Sequence, residues 1–170
     1  MQITIGGQSE SLFGNPPEVG DQLPKFKVQN AEGNWVKTAD IIGRITMLST
    51  VPDINTPVCS LETKRFNKEA DMYPDARFIT VSNNTIEQQR DWCAAEGVAN
   101  LKLLSDEELS LGYAMKVYLP NNGTLARTIF LVDQTGKIVY RQIVPELHDE
   151  PDYKEALAAL NQIAQRRVDD

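Results

Sequence analysis

The sequence predicts an α/β protein in which a mixed central β-sheet is flanked by helices and a β-hairpin extends the N-terminus. Three observations predict it. The runs Ile45–Val51 and Arg77–Ser82 are β-rich with little polar interruption, as in strands buried on both faces. A helical pattern separates them, so the two strands are parallel with a right-handed crossover. Further on, Asp133-Gln-Thr-Gly136 joins two more strands as a hairpin, which adds antiparallel partners. A sheet covered by helices on both faces accommodates this order.

Each element follows from local chemistry. Ile3 and Ile5, then Gly6-Gly7, then Leu12 and Phe13 read as the N-terminal hairpin (residues 1–14), closed by Gly14-Asn-Pro-Pro17. Phe26–Val28 and Trp35-Val36 form a second hairpin around Glu32-Gly33-Asn34, and Thr38 or Asp40 opens a short turn that Gly43 closes. After the strand from Ile45, a helix runs from Pro57 to about Met72. Thr56 is its N-cap, Val58, Leu61, Phe66 and Ala70 face inward, and Lys64, Lys68 and Asp71 face water. After Arg77–Ser82, one of Asn83, Asn84 and Thr85 caps a helix through Ile86, Trp92, Cys93 and Ala95 that stops at Gly97. Leu101–Leu104 is a short strand. Ser105 and Glu108 have the spacing of a capping box for a short helix. Tyr113 to Gly123 reads as loop, Leu125–Val132 and Lys137–Val144 as strands. The last helix spans about Asp152 to Arg167, with Tyr153, Leu157, Leu160, Ile163 and Ala164 as its apolar stripe and Arg166-Arg167 at its end.

At 170 residues the chain is expected to form one domain, residues 1–170, large enough to bury roughly 70% of the surface its unfolded form exposes. With 41% hydrophobic and 24% charged residues it has the composition of a globular protein. A net charge of −7 argues against nucleic acid or an anionic membrane as the main partner. No apolar run approaches the ~20 residues of a membrane span. Met1-Gln-Ile-Thr-Ile-Gly-Gly has no secretory character, so a cytoplasmic location is expected. Two cysteines in a reducing compartment are not a permanent staple; transient pairing, inert burial and metal binding are the alternatives.

The chemistry concentrates in Pro52-Asp-Ile-Asn-Thr56-Pro-Val-Cys59. Pro52 ends the strand and fixes the loop. With Thr56 as N-cap, Cys59 is the third helical residue, beside unpaired N–H groups at the positive end of the helix dipole. That environment favours the thiolate, the nucleophilic form. The Thr56 hydroxyl lies three residues before the sulfur. Arg127 puts a charge into an apolar strand, in register with Leu125, Ile129 and Leu131, and needs a partner. A thiolate would serve, and so would a carboxylate such as Glu62. Cys93 lies among apolar neighbours and reads either as a second redox thiol or as an inert buried one. His148 reads as a solvated loop residue. One histidine and two distant cysteines make a structural zinc site improbable.

Pro52, Thr56 and Cys59 match the P-x-x-x-T-x-x-C motif of the peroxiredoxins, and Asn55–Asn67 resembles their thiol peroxidase branch, the atypical two-cysteine enzymes. Phe13-Gly-Asn-Pro16, Asp91-Trp-Cys-Ala-Ala-Glu-Gly97, Ala126-Arg127 and Glu150–Ala156 are similar to further segments of that branch, in the same order along nearly the whole chain. The element order is that of a thioredoxin-like fold. The resemblance implies a thiol-specific peroxidase, an antioxidant enzyme that reduces hydrogen peroxide and organic hydroperoxides. Cys59 would be the peroxidatic cysteine, Cys93 the resolving cysteine that forms a disulfide with it, and Thr56 and Arg127 the groups that position the peroxide. Thioredoxin would be the reductant, no metal or organic cofactor would be needed, and the chain would form a homodimer through residues such as Ile54, Tyr113 and Met115. Other readings are a non-catalytic binding module and a redox sensor on the same fold. Ser82-Asn-Asn-Thr-Ile-Glu lacks the Asp and Phe usual after that strand, and Ala114 stands where the branch tends to have glycine. Cys93 comes late in its helix, so disulfide closure is expected to require local unwinding near one or both cysteines, because their Cα atoms must come within about 7 Å.

Overall fold

The computed structural model describes residues 1–167. An N-terminal hairpin, β1 (Gln2–Ile5) and β2 (Gln8–Ser11), stands apart from the main sheet, its turn made by Gly6 and Gly7 at φ 58° and 85°. Then follow β3 (Lys27–Gln29), β4 (Trp35–Lys37), α1 (Thr38–Ile41), β5 (Ile45–Thr50) and α2 (Pro57–Ala70). Next come β6 (Ala76–Ser82), α3 (Ile86–Glu96), β7 (Lys102–Ser105), α4 (Ser110–Ala114), β8 (Tyr118–Leu119) and β9 (Thr124–Leu125). The chain continues with β10 (Thr128–Val132), β11 (Ile138–Ile143) and α5 (Tyr153–Asn161).

Seven strands make one sheet in the order β11-β10-β5-β6-β7-β3-β4. The expected strand–helix–strand unit is parallel: β5 pairs β6, and β6 pairs β7, both in parallel register. β10 and β11 add the antiparallel edge, β10 lying against β5 with Thr128 opposite Thr50. Every residue of β5 is buried, because helices and loops cover both faces. Alternation along the strands divides the core in two. Leu48, Ile79, Leu104 and Phe130 pack with Ile41 and Leu111 on one side. Met47, Phe78, Leu103, Ile129 and Leu131 pack with Phe66 of α2, Trp92 of α3 and Leu160 of α5 on the other. Each such side chain contributes roughly 1.5–3 kcal/mol on burial.

Four local expectations need correction. Ser105 ends β7 and its hydroxyl donates to the Asn84 carbonyl (2.5 Å); the buried Asp106 carboxylate instead accepts from the backbone of Leu111 and Gly112 and starts α4. Leu125–Val132 is not one strand but β9 and β10, broken at Ala126-Arg127, while β8 lies inside the segment read as loop. The break also moves Leu125 to the Leu48 side of the sheet, away from Ile129 and Leu131. The last helix stops at Asn161, whose carbonyl Oδ1 accepts from the Tyr73 hydroxyl at 2.6 Å. The chain then turns along the end of α2, where Arg166 and Arg167 approach Glu69 and Asp71 instead of closing a helix. Lastly, Leu61 points out of α2 (55% exposed), and the inward face is Cys59, Glu62, Thr63 and Phe66.

Candidate active site

The sheet's parallel strands aim their C-terminal ends at one region. Val51 continues β5 by donating to the Val81 carbonyl, and the buried Pro52 then turns the chain. Thr56 occupies the N-cap position in an extended conformation, and Pro57 is the first helical residue, as expected. The Thr56 hydroxyl, however, caps nothing: it donates to the Asp53 carbonyl at 2.8 Å and tightens the turn. Cys59, the third residue of α2, is fully buried and its thiol is free. Thr63 secures this first turn by donating its hydroxyl to the Cys59 carbonyl (2.8 Å).

Arg127 lies just before β10, in register with Ile129 and Leu131, on the face where Phe66 of α2 packs, and there it reaches Cys59. Around the break, Thr50 donates to the Ala126 carbonyl (2.8 Å) and pairs with the Thr128 hydroxyl (2.6 Å). The backbone amides of Ala126 and Val144 fasten it to Val117 and Arg127. The guanidinium is buried and fully directed. Nη1 donates to Cys59 Sγ at 3.5 Å and to Glu62 Oε1 at 3.0 Å; Nε and Nη2 both donate to the Leu147 carbonyl, at 3.2 and 2.9 Å. Burial pulls its pKa down, but the charges of Cys59 and Glu62 and the hydrogen bonds they accept raise it above its ordinary value. The two candidate partners of Arg127 are therefore both real: thiol and carboxylate accept from one nitrogen, which has two hydrogens to give.

The sequence offers Glu62 only as a possible partner and puts Leu61, its neighbour, on the inward face. Burial of Glu62 pushes its pKa from 4.5 up to about 7, against the opposing pull of Arg127. Oε2 has no hydrogen-bond partner among the described residues, so a proton there would remove an uncompensated buried charge. The linkage has a definite sign. Between about pH 4.5 and 7 the folded chain holds the proton that the unfolded chain has released, so stability falls as pH rises through that window. The gap corresponds to about 3 kcal/mol. Glu62→Gln is expected to flatten this decline in urea unfolding measured from pH 4.5 to 8. An unchanged slope would assign the proton elsewhere.

A cavity of about 470 Å³ opens beside the pair, lined by Pro52, Thr56, Val58, Arg127, Leu147 and His148 among others. His148, read as a loop residue, is exposed and lies at this cavity. The carbonyl that holds Arg127 is itself braced by the N-terminal hairpin. Leu147 N–H donates to the Thr4 carbonyl, and the Glu146 carboxylate accepts from His148 N–H, Gly6 N–H, Gly7 N–H and the Thr4 hydroxyl. Those bonds, that from His148 first, pull the Glu146 pKa down to about 2. The hairpin thus reaches the arginine through one peptide group.

Cys93 is half-buried beside the cluster around Trp92, and burial pushes its thiol up. It is the eighth residue of α3, about 10 Å along the axis from the helix start. Both sulfurs are free. α3 begins at a capping box in which Thr85 accepts from Gln88 N–H and Gln88 Oε1 accepts from Thr85 N–H, and it ends at Gly97 in the left-handed region, as read. Asn84, which the sequence offers only as a candidate cap, leaves that role to Thr85 and sends its side chain to the loop before Cys59, a contact that sequence reasoning missed. The same reasoning missed Gln89, whose buried amide donates to the Ser82 hydroxyl and the Leu104 carbonyl. No group of three metal-ligating side chains converges among the described residues.

The model of the AhpC/TSA family matches residues 19–141. The thiol peroxidase of Listeria monocytogenes serotype 4b is 39% identical over 159 residues, 93% of this chain and 96% of that protein. The Bacillus subtilis thiol peroxidase is 36% identical over 93% of this chain and 95% of its own. Among solved structures, a peroxiredoxin-like protein from Aquifex aeolicus superposes with a TM-score of 0.86 at 28% identity, covering 95% of this chain and 96% of that one.

Proposed function

Since the chain belongs to the AhpC/TSA family and is an enzyme of the thiol peroxidase kind, reducing peroxides through a cysteine, we propose that Cys59 is its peroxidatic cysteine and Cys93 its resolving cysteine. Thr56, Arg127 and Pro52 shape the peroxide site. The observation that carries this assignment is the Arg127 guanidinium. It is clamped on the Leu147 carbonyl, directed at Cys59 Sγ and bordered by an open cavity. A charged fork held in one orientation is pre-organised for a thiolate and for the oxygens of a peroxide.

The Cys59 thiolate attacks the near peroxide oxygen. An S–O bond forms, the O–O bond breaks, and the far oxygen leaves as hydroxide or alkoxide and takes up a proton. Arg127 polarises the breaking bond, and the Thr56 oxygen accepts from the peroxide O–H. Cys59 is now a sulfenic acid. The Cys93 thiol attacks that sulfur, the disulfide closes and water leaves. A dithiol of the thioredoxin class returns both thiols. Pro52, Pro57, Val58 and Leu147 give the cavity an apolar side that suits organic hydroperoxides as well as hydrogen peroxide. Cys93→Ser is expected to keep the first turnover within about twofold while losing at least about 90% of recycling with thioredoxin, because only resolution depends on the second thiol. Full recycling by the variant would remove Cys93 from the resolving role.

The enzyme also forms a homodimer. Phe13 and Tyr113 are 47% and 45% exposed, their rings meeting edge to face at 4.8 Å, with the Tyr118 ring tilted against Tyr113 at 5.2 Å. Exposed aromatic clusters of this kind suit an interface core. Ile54 and Met115, expected to contribute, are buried within the chain. Tyr113→Glu should convert a dimer to a monomer in sedimentation experiments. A wild-type chain that sediments as a monomer would end the proposal. Two thiols that cycle suit a reducing compartment, which supports the cytoplasm as its location. Among the described residues, no helix is long and apolar enough to cross a membrane.

A further inference from the structure

We propose that Asn84 is a positioning residue that latches the loop before Cys59 to the start of the helix carrying Cys93, and so sets how fast the two cysteines can join. This rests on the assignment of Cys59 and Cys93 as the redox pair. The side-chain carbonyl of Asn84 accepts from Ile54 N–H at 2.9 Å. Since a backbone N–H can only donate, the amide orientation is fixed, and Nδ2 faces the other way. That nitrogen donates to Asp53 Oδ1 at 3.0 Å and to Gln88 Oε1 at 3.3 Å. Among the described residues, Asn84 is the one side chain from outside that hydrogen-bonds residues 53–56.

Both ends of the latch are built into something larger. Asp53 organises the loop: its carboxylate also accepts from Asn55 N–H (3.0 Å), and its carbonyl accepts from the hydroxyl and the N–H of Thr56 (2.8 and 3.1 Å). Ile54 is fully buried in the core cluster of Phe66 and Trp92. On the other side, Gln88 closes the capping box of α3, and the Asn84 carbonyl is held by the Ser105 hydroxyl (2.5 Å). One amide therefore ties the loop that leads into α2 to the first turn of α3. While it holds, Cys59 stays buried under Arg127, where it can meet peroxide. Disulfide closure requires Cys59 or Cys93 to leave its helical position, and the latch must open for the loop to move. In that step the Cys93 thiol displaces hydroxide from the Cys59 sulfenic acid, one S–S bond replaces one S–O bond, and the released proton completes water. A slow step leaves the sulfenic acid exposed to a second peroxide, which oxidises it to sulfinic acid.

The test is acid-quenched mass analysis of the full chain after one equivalent of hydrogen peroxide, followed by titration of sulfinic acid against peroxide concentration with thioredoxin present. In Asn84→Ala the Cys59–Cys93 disulfide should appear about tenfold faster, the order expected for loss of one or two ordinary hydrogen bonds. The peroxide concentration that gives half sulfinic acid should rise by the same factor. Asn84→Asp should act likewise, by setting a second carboxylate against Asp53. Lowering the pH should put a proton between the two carboxyl groups of that variant, restore a bond to Asp53 Oδ1 without disturbing the one it accepts from Asn55 N–H, and bring the disulfide rate back towards that of wild type at the same pH, a rescue that simple loosening of the fold would not give. Disulfide formation at the wild-type rate in both single variants overturns the latch while leaving the redox pair intact. A wild-type chain that forms no Cys59–Cys93 disulfide overturns the assignment of the pair, and the latch with it.

Discussion

Replacing Cys59 with serine is expected to abolish peroxide turnover, by at least about a thousandfold, because the step needs a polarisable anion to displace oxygen from oxygen and a hydroxyl at this site is neutral. The substitution is close to isosteric. The serine oxygen can accept from Arg127 Nη1 where Sγ now does at 3.5 Å, so the buried guanidinium keeps its surroundings. The urea midpoint should therefore move little while activity disappears. Consumption of hydrogen peroxide coupled to thioredoxin oxidation is the measurement. Turnover within tenfold of wild type would mean that another group is the nucleophile. Cys93, whose thiol is pushed up by burial, is the only other cysteine in the chain.

Arg127→Met should produce two separable losses. The first is chemical: without the donor at Sγ and the fixed charge beside the cavity, turnover should fall about a hundred- to a thousandfold. The second is structural. Glu62 stays buried with neither of its oxygens paired, and breaking a buried ion pair from one side costs about 3–5 kcal/mol. Adding Glu62→Leu removes the stranded carboxylate. The double variant should recover most of the stability and none of the activity. Arg127→Lys should fall between, since an ammonium keeps the charge but cannot place two N–H groups on the Leu147 carbonyl and a third on Sγ. Recovery of activity in the methionine–leucine pair would show that Arg127 acts only by neutralising Glu62.

These two residues also show how far the amino-acid string reaches. Cys59 was legible because its setting is local: Pro52 stops a strand, Pro57 suits a first helical turn, and three residues of spacing do the rest. Arg127 was legible as a misfit, a charge in an apolar strand that demands a partner. Its partner was not. Counting along α2 put Leu61 inside, yet the helix turns so that Glu62 faces the guanidinium and Leu61 faces water. The phase of a helix with a weak apolar stripe is decided by what lies beneath it. Likewise Ser105 had the spacing of a cap, but the buried Asp106 beside it offers two acceptor oxygens to two backbone N–H groups and takes the role.

By itself, then, the sequence determined the order of strands and helices, the parallel crossover and the cysteine at a helix start. Each of these follows from turn chemistry and hydrophobic period within a few residues. Tertiary structure alone decided that one nitrogen of Arg127 serves both Cys59 and Glu62, that the N-terminal hairpin braces the carbonyl holding it, and that Asn84 joins the loop before Cys59 to the start of the helix that carries Cys93. Those links span 30 to 142 positions of chain. A hydrogen bond forms only where packing brings donor and acceptor within about 3 Å at a usable angle, and no local pattern in the sequence encodes that meeting.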